Sequence, residues 1–308
     1  MKLQDFLANA NEIGKLGFEA IAQDKELATQ IQILLIGLNL LEPPADGKFG
    51  PVSGEALEKF QELTKTGETG YLGVITAEKL IETKPDDLPK PQLKLGNDIA
   101  SRIVKYMLDK KYQVFTAPKE YNIVYLEGIN EDWTRNNDAP NEFNDRRIIL
   151  EVVDGVPKIV NHWRATTEPG SYYTVVKPLN PKGAARIQFG QYKAWRVGTH
   201  GIGGSRPHEA LVQVGTITVC RDFNKDFQRV GDQLDTGDDF AINQHWGYDF
   251  PKNDIRGASA GCLVGNLLKG HQEFMALVKQ DRRYVANRDY VFYTTVISGD
   301  DLLKKFPG

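Results

Sequence analysis

The sequence predicts an α+β chain of more than one domain, a small three-helix bundle followed by a β-rich domain with a few helices. Three observations carry that prediction. Between residues 27 and 83 the apolar residues recur at helical spacing. From about Tyr121 the period switches to two, in short β-branched and aromatic runs. Between the two regions, Lys84-Pro85-Asp86-Asp87-Leu88-Pro89-Lys90-Pro91-Gln92 has the composition of a stiff, exposed linker. At 308 residues the chain is long enough to bury two cores.

Taken in order, Leu3, Phe6, Leu7, Ala10 and Ile13 mark one face of a short helix within residues 1–26. Ile31, Leu34, Leu35, Leu38 and Leu41 mark the next helix, which Pro43-Pro44 stops. Asp46-Gly47-Lys48-Phe49-Gly50 reads as a turn with glycine where φ is positive. Pro51 opens a helix carrying Ala56, Leu57 and Phe60. A Gly-rich turn from Gly67 to Gly73 leads to another, from Thr76 through Leu80, which closes a domain at 27–83. Residues 84–117 hold the linker and a helix from Asn97 to Asp109. In the remaining domain, 118–308, strands are expected at 123–126, 147–153, 157–160, 210–213 and 290–297. Asp154-Gly155 is a hairpin signal, and the last clear helix runs from Leu267 to Lys279.

Composition narrows the function. A net charge of −3, with no Lys/Arg block interleaved with aromatics, gives no electrostatic case for nucleic acid. No apolar stretch approaches a membrane span, so no membrane partner is expected. The N-terminus is too polar for a signal-peptide core, so synthesis in the cytoplasm is expected. Export would then need a route other than a signal peptide. Two cysteines are too few for a disulfide framework.

One cysteine stands out. Cys262 sits in Ser259-Ala260-Gly261-Cys262, before the apolar run Leu263-Val264-Gly265-Asn266-Leu267-Leu268, and His245 lies 17 positions upstream. A thiol at a glycine-containing turn before a helix would gain thiolate character from the helix N-terminus. Glycine lets a substrate approach the backbone, and a histidine can take the proton. Backbone N–H groups of Gly261 and Cys262 are candidate oxyanion donors, and Ser259 can hold a neighbouring group through its hydroxyl. Cys220, in a β-rich run, reads as a strand residue.

Two resemblances follow. Ile31-Gln32, Leu38, Asp46-Gly47-Lys48-Phe49-Gly50-Pro51, Ala56-Leu57, Phe60-Gln61, Gly73, Thr76 and Leu80 resemble the small three-helix peptidoglycan-binding domain. That resemblance implies peptidoglycan as partner, with Asp46 and Phe49 as candidate contacts. The second resemblance has three parts: Asp145 through Gly155, then Ala165-Thr166-Thr167-Glu168-Pro169-Gly170-Ser171-Tyr172-Tyr173-Thr174, then His245 followed by Ser259-Ala260-Gly261-Cys262. In that order they resemble an opening hairpin, a "Thr-Pro-x-Gly-x-Phe" strand and a "His-Gly…Ser-His-Gly-Cys" signature. These belong to the L,D-transpeptidase (YkuD-type) catalytic domain. The resemblance implies a Cys262 thioester on peptidoglycan stem peptides, with His245 as general base.

Departures are specific. The family's His-Gly is His245-Trp246 here, its signature histidine is Ala260, and the Arg or Asn two places after cysteine is Val264. Nucleophile and upstream base are retained, while a second imidazole and a polar partner are replaced. Hydrolysis needs less acceptor recognition than transpeptidation and is favoured. The competing class is an inactive wall-binding protein that keeps the fold. His200, in a Gly-rich segment, is a candidate replacement imidazole; His162, His208 and His271 have weaker claims. Trp246, Tyr172 and Tyr173 are candidates to line a groove for a sugar–peptide polymer. No zinc-peptidase spacing occurs, and Asp222-Phe223-Asn224-Lys225-Asp226 lacks the glycine and closing Glu of a calcium loop. No metal or cofactor is expected.

Overall fold

The computed structural model describes residues 1–89 and 92–308, so Lys90 and Pro91 of the expected linker lie outside the described residues. The chain divides into two compact units, Met1–Pro91 and Gln92–Gly308.

The first unit is helical. Its elements are α1 (Leu3–Ala8), α2 (Ala10–Ile13), β1 (Leu16–Gly17), α3 (Phe18–Gln23), α4 (Lys25–Gly37), α5 (Pro51–Thr64), β2 (Tyr71–Leu72) and α6 (Val74–Glu82). Asp24 caps α4, its carboxylate accepting from the Leu27 N–H at 3.1 Å. Proline at the first position starts α5, and Lys65 in the left-handed conformation ends it. Three longer helices stand in the expected region, but the first ends at Gly37, before Leu41 and Pro43-Pro44, and they do not make the core alone. Leu3, Phe6 and Ile21 share one core with Leu27, Ile31, Leu35, Leu57, Phe60 and Leu80. A two-stranded ribbon, β1 on β2, joins the segment before α3 to the turn before α6.

The second unit is β-rich. α7 (Ile99–Asp109) precedes β3 (Asn122–Glu127), β4 (Asp145–Val153), β5 (Val156–Thr166), β6 (Ala184–Ile187), β7 (Gly190–His200) and β8 (His208–Gln213). Then come β9 (Ile217–Asp222), β10 (Gln233–Gly237), β11 (Gln244–Trp246) and β12 (Leu263–Gly265). α8 (Leu268–Val278), α9 (Arg282–Ala286), β13 (Phe292–Ser298) and α10 (Gly299–Lys305) complete the chain. Eight strands close a barrel in the order β11-β12-β5-β4-β3-β13-β7-β8, and β10-β9-β6 form a separate sheet. Asp154 and Gly155 both take positive φ, as the tight turn between β4 and β5 requires. Tyr125, Ile149, Trp195 and Leu211 belong to one core cluster of the unit. Alternate residues of β4, Ile148, Leu150 and Val152, belong to another with Ile103 and Met107 of α7.

Two sequence expectations need correction. After Thr166 the chain leaves the barrel, and Tyr172–Val176 is a single π-helical turn rather than a strand. The run after Cys262 is also not a helix. Leu263–Gly265 is a strand, and the helix starts only at Leu268. A three-residue strand buried on both faces has no polar alternation, so its periodicity resembles that of a buried helix.

Candidate functional site

The site is built on two short parallel strands. β11 pairs β12 with Gln244 opposite Leu263 and His245 opposite Val264. One step earlier, the Asn243 N–H donates to Cys262 Sγ at 3.4 Å, and the Leu263 N–H donates to Asn243 O at 3.0 Å. Strand alternation therefore puts Asn243, His245, Cys262 and Val264 on one face. The thiol donates to Ala241 O at 3.6 Å. Among the described residues Cys262 and His245 are not hydrogen-bonded to each other. Without a helix N-terminus, and 8% exposed, the thiol is pushed up by burial to about 11; the Asn243 N–H pulls the other way.

The turn before the cysteine is fixed by Ser259. Its hydroxyl donates to Cys262 O at 2.9 Å and accepts from the Gly261 N–H at 3.1 Å. The Gly261 N–H is thus occupied, which removes it from the expected pair of oxyanion donors in this state. Gly261 has φ +133°, and a Cβ there would sit 2.6 Å from Ala185 O, so only glycine fits.

Four of the chain's five histidines gather here. The His200 and His245 rings stack with centroids 3.7 Å apart and planes within 7°. His208 lies 5.7 Å from both His245 and His271. Hydrogen bonds set each tautomer. His245 Nδ1–H donates to Trp246 O at 2.7 Å, leaving Nε2 as a lone pair. Asn243 Oδ1 accepts from the Gln213 N–H, so Asn243 Nδ2 donates to His200 Nδ1 at 3.0 Å, and neutral His200 carries its proton on Nε2. His208 Nε2 accepts from the Trp246 N–H, and its Nδ1–H donates to Arg206 O. His271 Nε2–H donates to Glu209 O, and its Nδ1 accepts from Arg147. Burial holds all three of the most enclosed rings neutral. It pushes His245 well below the usual imidazole range, His200 to about 4 and His271 to about 3, with neighbouring histidines and, for His271, Arg147 adding to the effect.

Arg147 braces the two strands from inside the barrel. Fully buried, it donates to His245 O at 3.1 Å, Leu263 O at 3.2 Å, His271 Nδ1 and Tyr125 Oη, and its guanidinium lies 4.3 Å from the Phe274 ring centre. Gly265 makes room for it, since a Cβ there would sit 2.6 Å from Arg147 Nη1. In the sequence His208 and His271 have only weak claims, and Arg147 and Asn243 have no role in a site. One signal was available: His200 and His208 flank a short Gly-rich segment and are cross-strand partners in the β7–β8 hairpin. Nothing in the sequence marks Arg147 as buried.

The other expected contacts separate. Trp246 is half-buried, its Nε1–H donating to Asp249, its ring 5.1 Å from Tyr248. Tyr172 and Tyr173 pack edge to face on the π-helical turn, with Tyr172 exposed. In the first unit, Phe49 is a core residue 6% exposed, packed on Phe18, and not a surface contact. Asp46 holds its own turn by accepting from Gln32 Nε2 and the Lys48 N–H. The turn geometry that makes the Asp-Gly-x-Phe pattern recognisable also directs the aromatic inward.

Elsewhere in the second unit, carboxylate oxygens of Glu127, Asp138 and Glu168 lie within 4.8 Å of one another, the one such group of possible metal ligands among the described residues. Arg229 pairs with Glu127 and Arg186 with Glu168, so two guanidinium groups already balance it. Asp222 is buried beside Arg186 and accepts from the Asp226 and Phe227 N–H groups, an ordinary Asx loop. The Cys220 thiol donates to Gln188 Oε1, buried in β9.

Residues 24–80 match the family described as "Putative peptidoglycan binding domain". The N-terminal region therefore carries a peptidoglycan-binding domain, over less than a quarter of the chain. No curated protein sequence matches. Two solved structures align over 88% of the chain at 14% identity. One is a fused Zn-dependent amidase/peptidase/peptidoglycan-binding domain-containing protein from Clostridium acetobutylicum, 94% covered, TM-score 0.29. The other is the L,D-transpeptidase (residues 123–326) from Xylanimonas cellulosilytica, 92% covered, TM-score 0.20. Scores this low do not establish a shared fold.

Proposed function

We propose that this protein binds peptidoglycan through its first unit and cleaves stem peptides through a Cys262 thioester in its second. One observation carries the catalytic part. Adjacent parallel strands put the thiol and the His245 imidazole on one face, with the His245 proton committed to Trp246 O and its Nε2 left as an acceptor. The resting pair is neutral, so proton transfer accompanies attack. The Cys262 sulfur bonds to the carbonyl carbon while its proton passes to His245 Nε2. The imidazolium then protonates the leaving amine as the C–N bond breaks. Water resolves the thioester, its proton returning through the same imidazole, and the stem acid and the free thiol are released. His200, tautomerically opposite, offers an Nε2–H donor rather than a second base. That division replaces the imidazole absent at Ala260 without duplicating the base.

Binding at the wall raises the local concentration of the catalytic unit. The test is mass spectrometry of muropeptides after incubation with the full chain and with Cys262→Ala. Shortened stems or split cross-links are expected from the wild type only. Equal products from Cys262→Ala would remove the thioester mechanism, and a new cross-linked dimer as main product would make the reaction transpeptidation. No turnover by the wild type, with wall binding intact, would leave the wall-binding protein as the function.

A further inference from the structure

A cavity in the same unit, about 530 Å³, opens beside the start of β4. Its lining includes Phe143, Arg146, Arg164, Lys252, Glu131 and Asp132. Arg146 and Arg164 are direct cross-strand partners on β4 and β5, so two guanidinium groups stand opposite one another. Like charges in that position repel unless something negative lies between them. Arg146 is 4% exposed; one Nη donates to His162 Nδ1 at 2.6 Å, while among the described residues its buried Nε–H has no partner. Among the described residues none of the three cations forms an ion pair with a carboxylate, although Glu131 lies near enough to act on Arg146 electrostatically. Asp145 adjoins them, but its two oxygens already accept from the Gly128 N–H and from Thr167. A buried, unsatisfied guanidinium donor beside two more cations is costly alone and favourable once a ligand oxygen arrives.

We propose that this cavity binds a free carboxylate of a peptide. Arg146 and Arg164 would grip the carboxylate, with Lys252 at the rim. Glu131 and Asp132, both exposed at the rim, fit the ammonium or N–H groups that accompany a carboxylate in an amino-acid residue and oppose a phosphate dianion. The volume suits a group of one or two residues. Phe143 links cavity and thiol, because it lines the one and packs in a cluster with Cys262 and Val264. The stem peptide as source of the carboxylate rests on the proposed function; the carboxylate pocket itself does not.

The experiment is calorimetric titration of the full chain carrying Cys262→Ala, which separates binding from turnover. Probes are a synthetic stem tetrapeptide, the same peptide with every carboxylate amidated, and inorganic phosphate. The free acid is expected to bind, and both amidation and Arg164→Gln should weaken it by about 10- to 100-fold, the scale of one charge-assisted hydrogen bond. Lys252→Ala, on an exposed side chain, should weaken it several-fold and tests the site if Arg164→Gln fails to fold. Equal binding of acid and amide, tighter binding of phosphate, or no binding of the acid would overturn the proposal. Binding that persists in a chain inactive on muropeptides would sustain the pocket while removing the catalytic function.

Discussion

At the scale of single residues, two imidazoles in van der Waals contact hold opposite tautomers, set by their hydrogen bonds. His245 has a free lone pair and His200 a free N–H. His245→Gln should lower turnover by roughly 10²–10⁴, the usual cost of a lost acid–base group, and His200→Gln by less. Steady-state rates on one muropeptide decide this, and the reverse order would reassign the base. Burial of neutral His200 also has a sign. Its pKa falls from 6.5 unfolded to about 4 folded, so its contribution is full above pH 6.5 and lost as pH falls through 4. The stability of wild type relative to His200→Gln should therefore drop between those limits, by less than the full shift implies because the ring is only partly buried. Urea titrations of both proteins at pH 7 and pH 4 measure it. The Cys262 thiol, held up at about 11, should alkylate about tenfold faster per pH unit from 7 to 10, as iodoacetamide kinetics will show.

Among the elements, the strand pair β11–β12 carries the candidate site, and it is short. Three residues on each side give few ladder bonds, and Arg147 donates two more hydrogen bonds, to the carbonyls of His245 and Leu263. Arg147→Met fills similar volume but leaves those carbonyls, Tyr125 Oη and His271 Nδ1 without their donor. Each such buried group costs about 1–3 kcal/mol, so a fall in melting temperature of about 10 °C or more is expected, with turnover lost in proportion to strand order. Arg147→Lys should recover only part of either, because one ammonium cannot span four acceptors in a plane. A thermal melt and a rate for each variant test the point. Unchanged stability in Arg147→Met would mean that the barrel orders these strands without it.

For the whole molecule, the first unit has a boundary that affects how it can be isolated. Leu3, Phe6 and Ile21 share a core with the longer helices, so a chain of residues 1–91 should be helical, cooperative and retained by insoluble peptidoglycan. A chain of residues 27–83 should melt earlier, because removing three buried apolar side chains gives up about 2–5 kcal/mol each. Circular dichroism melts and pelleting assays on both chains check this. A folded 1–91 chain that stays wholly in the supernatant would reduce the unit to a spacer.

The sequence by itself determined the order of the parts: helical spacing before residue 83, period two after Tyr121, and turn chemistry at Asp46-Gly47 and Asp154-Gly155. Those are local properties, set by a few neighbouring residues and their φ preferences, so they survive without knowledge of the fold. It also offered Cys262 and His245 as candidates, the first from its glycine-containing turn and the second from its place in the resemblance. Only the tertiary structure decided that Cys262 precedes a strand, because Leu263-Val264-Gly265 has no periodicity that separates the two. Only it gathered His208 and His271 with the other imidazoles, and only it placed Arg147 inside the barrel and Arg146 opposite Arg164. Those facts depend on sheet order and register between segments up to 124 residues apart, as between Arg147 and His271. Strand pairing over that distance is selected by burial of the whole barrel, and no short stretch of chain records it.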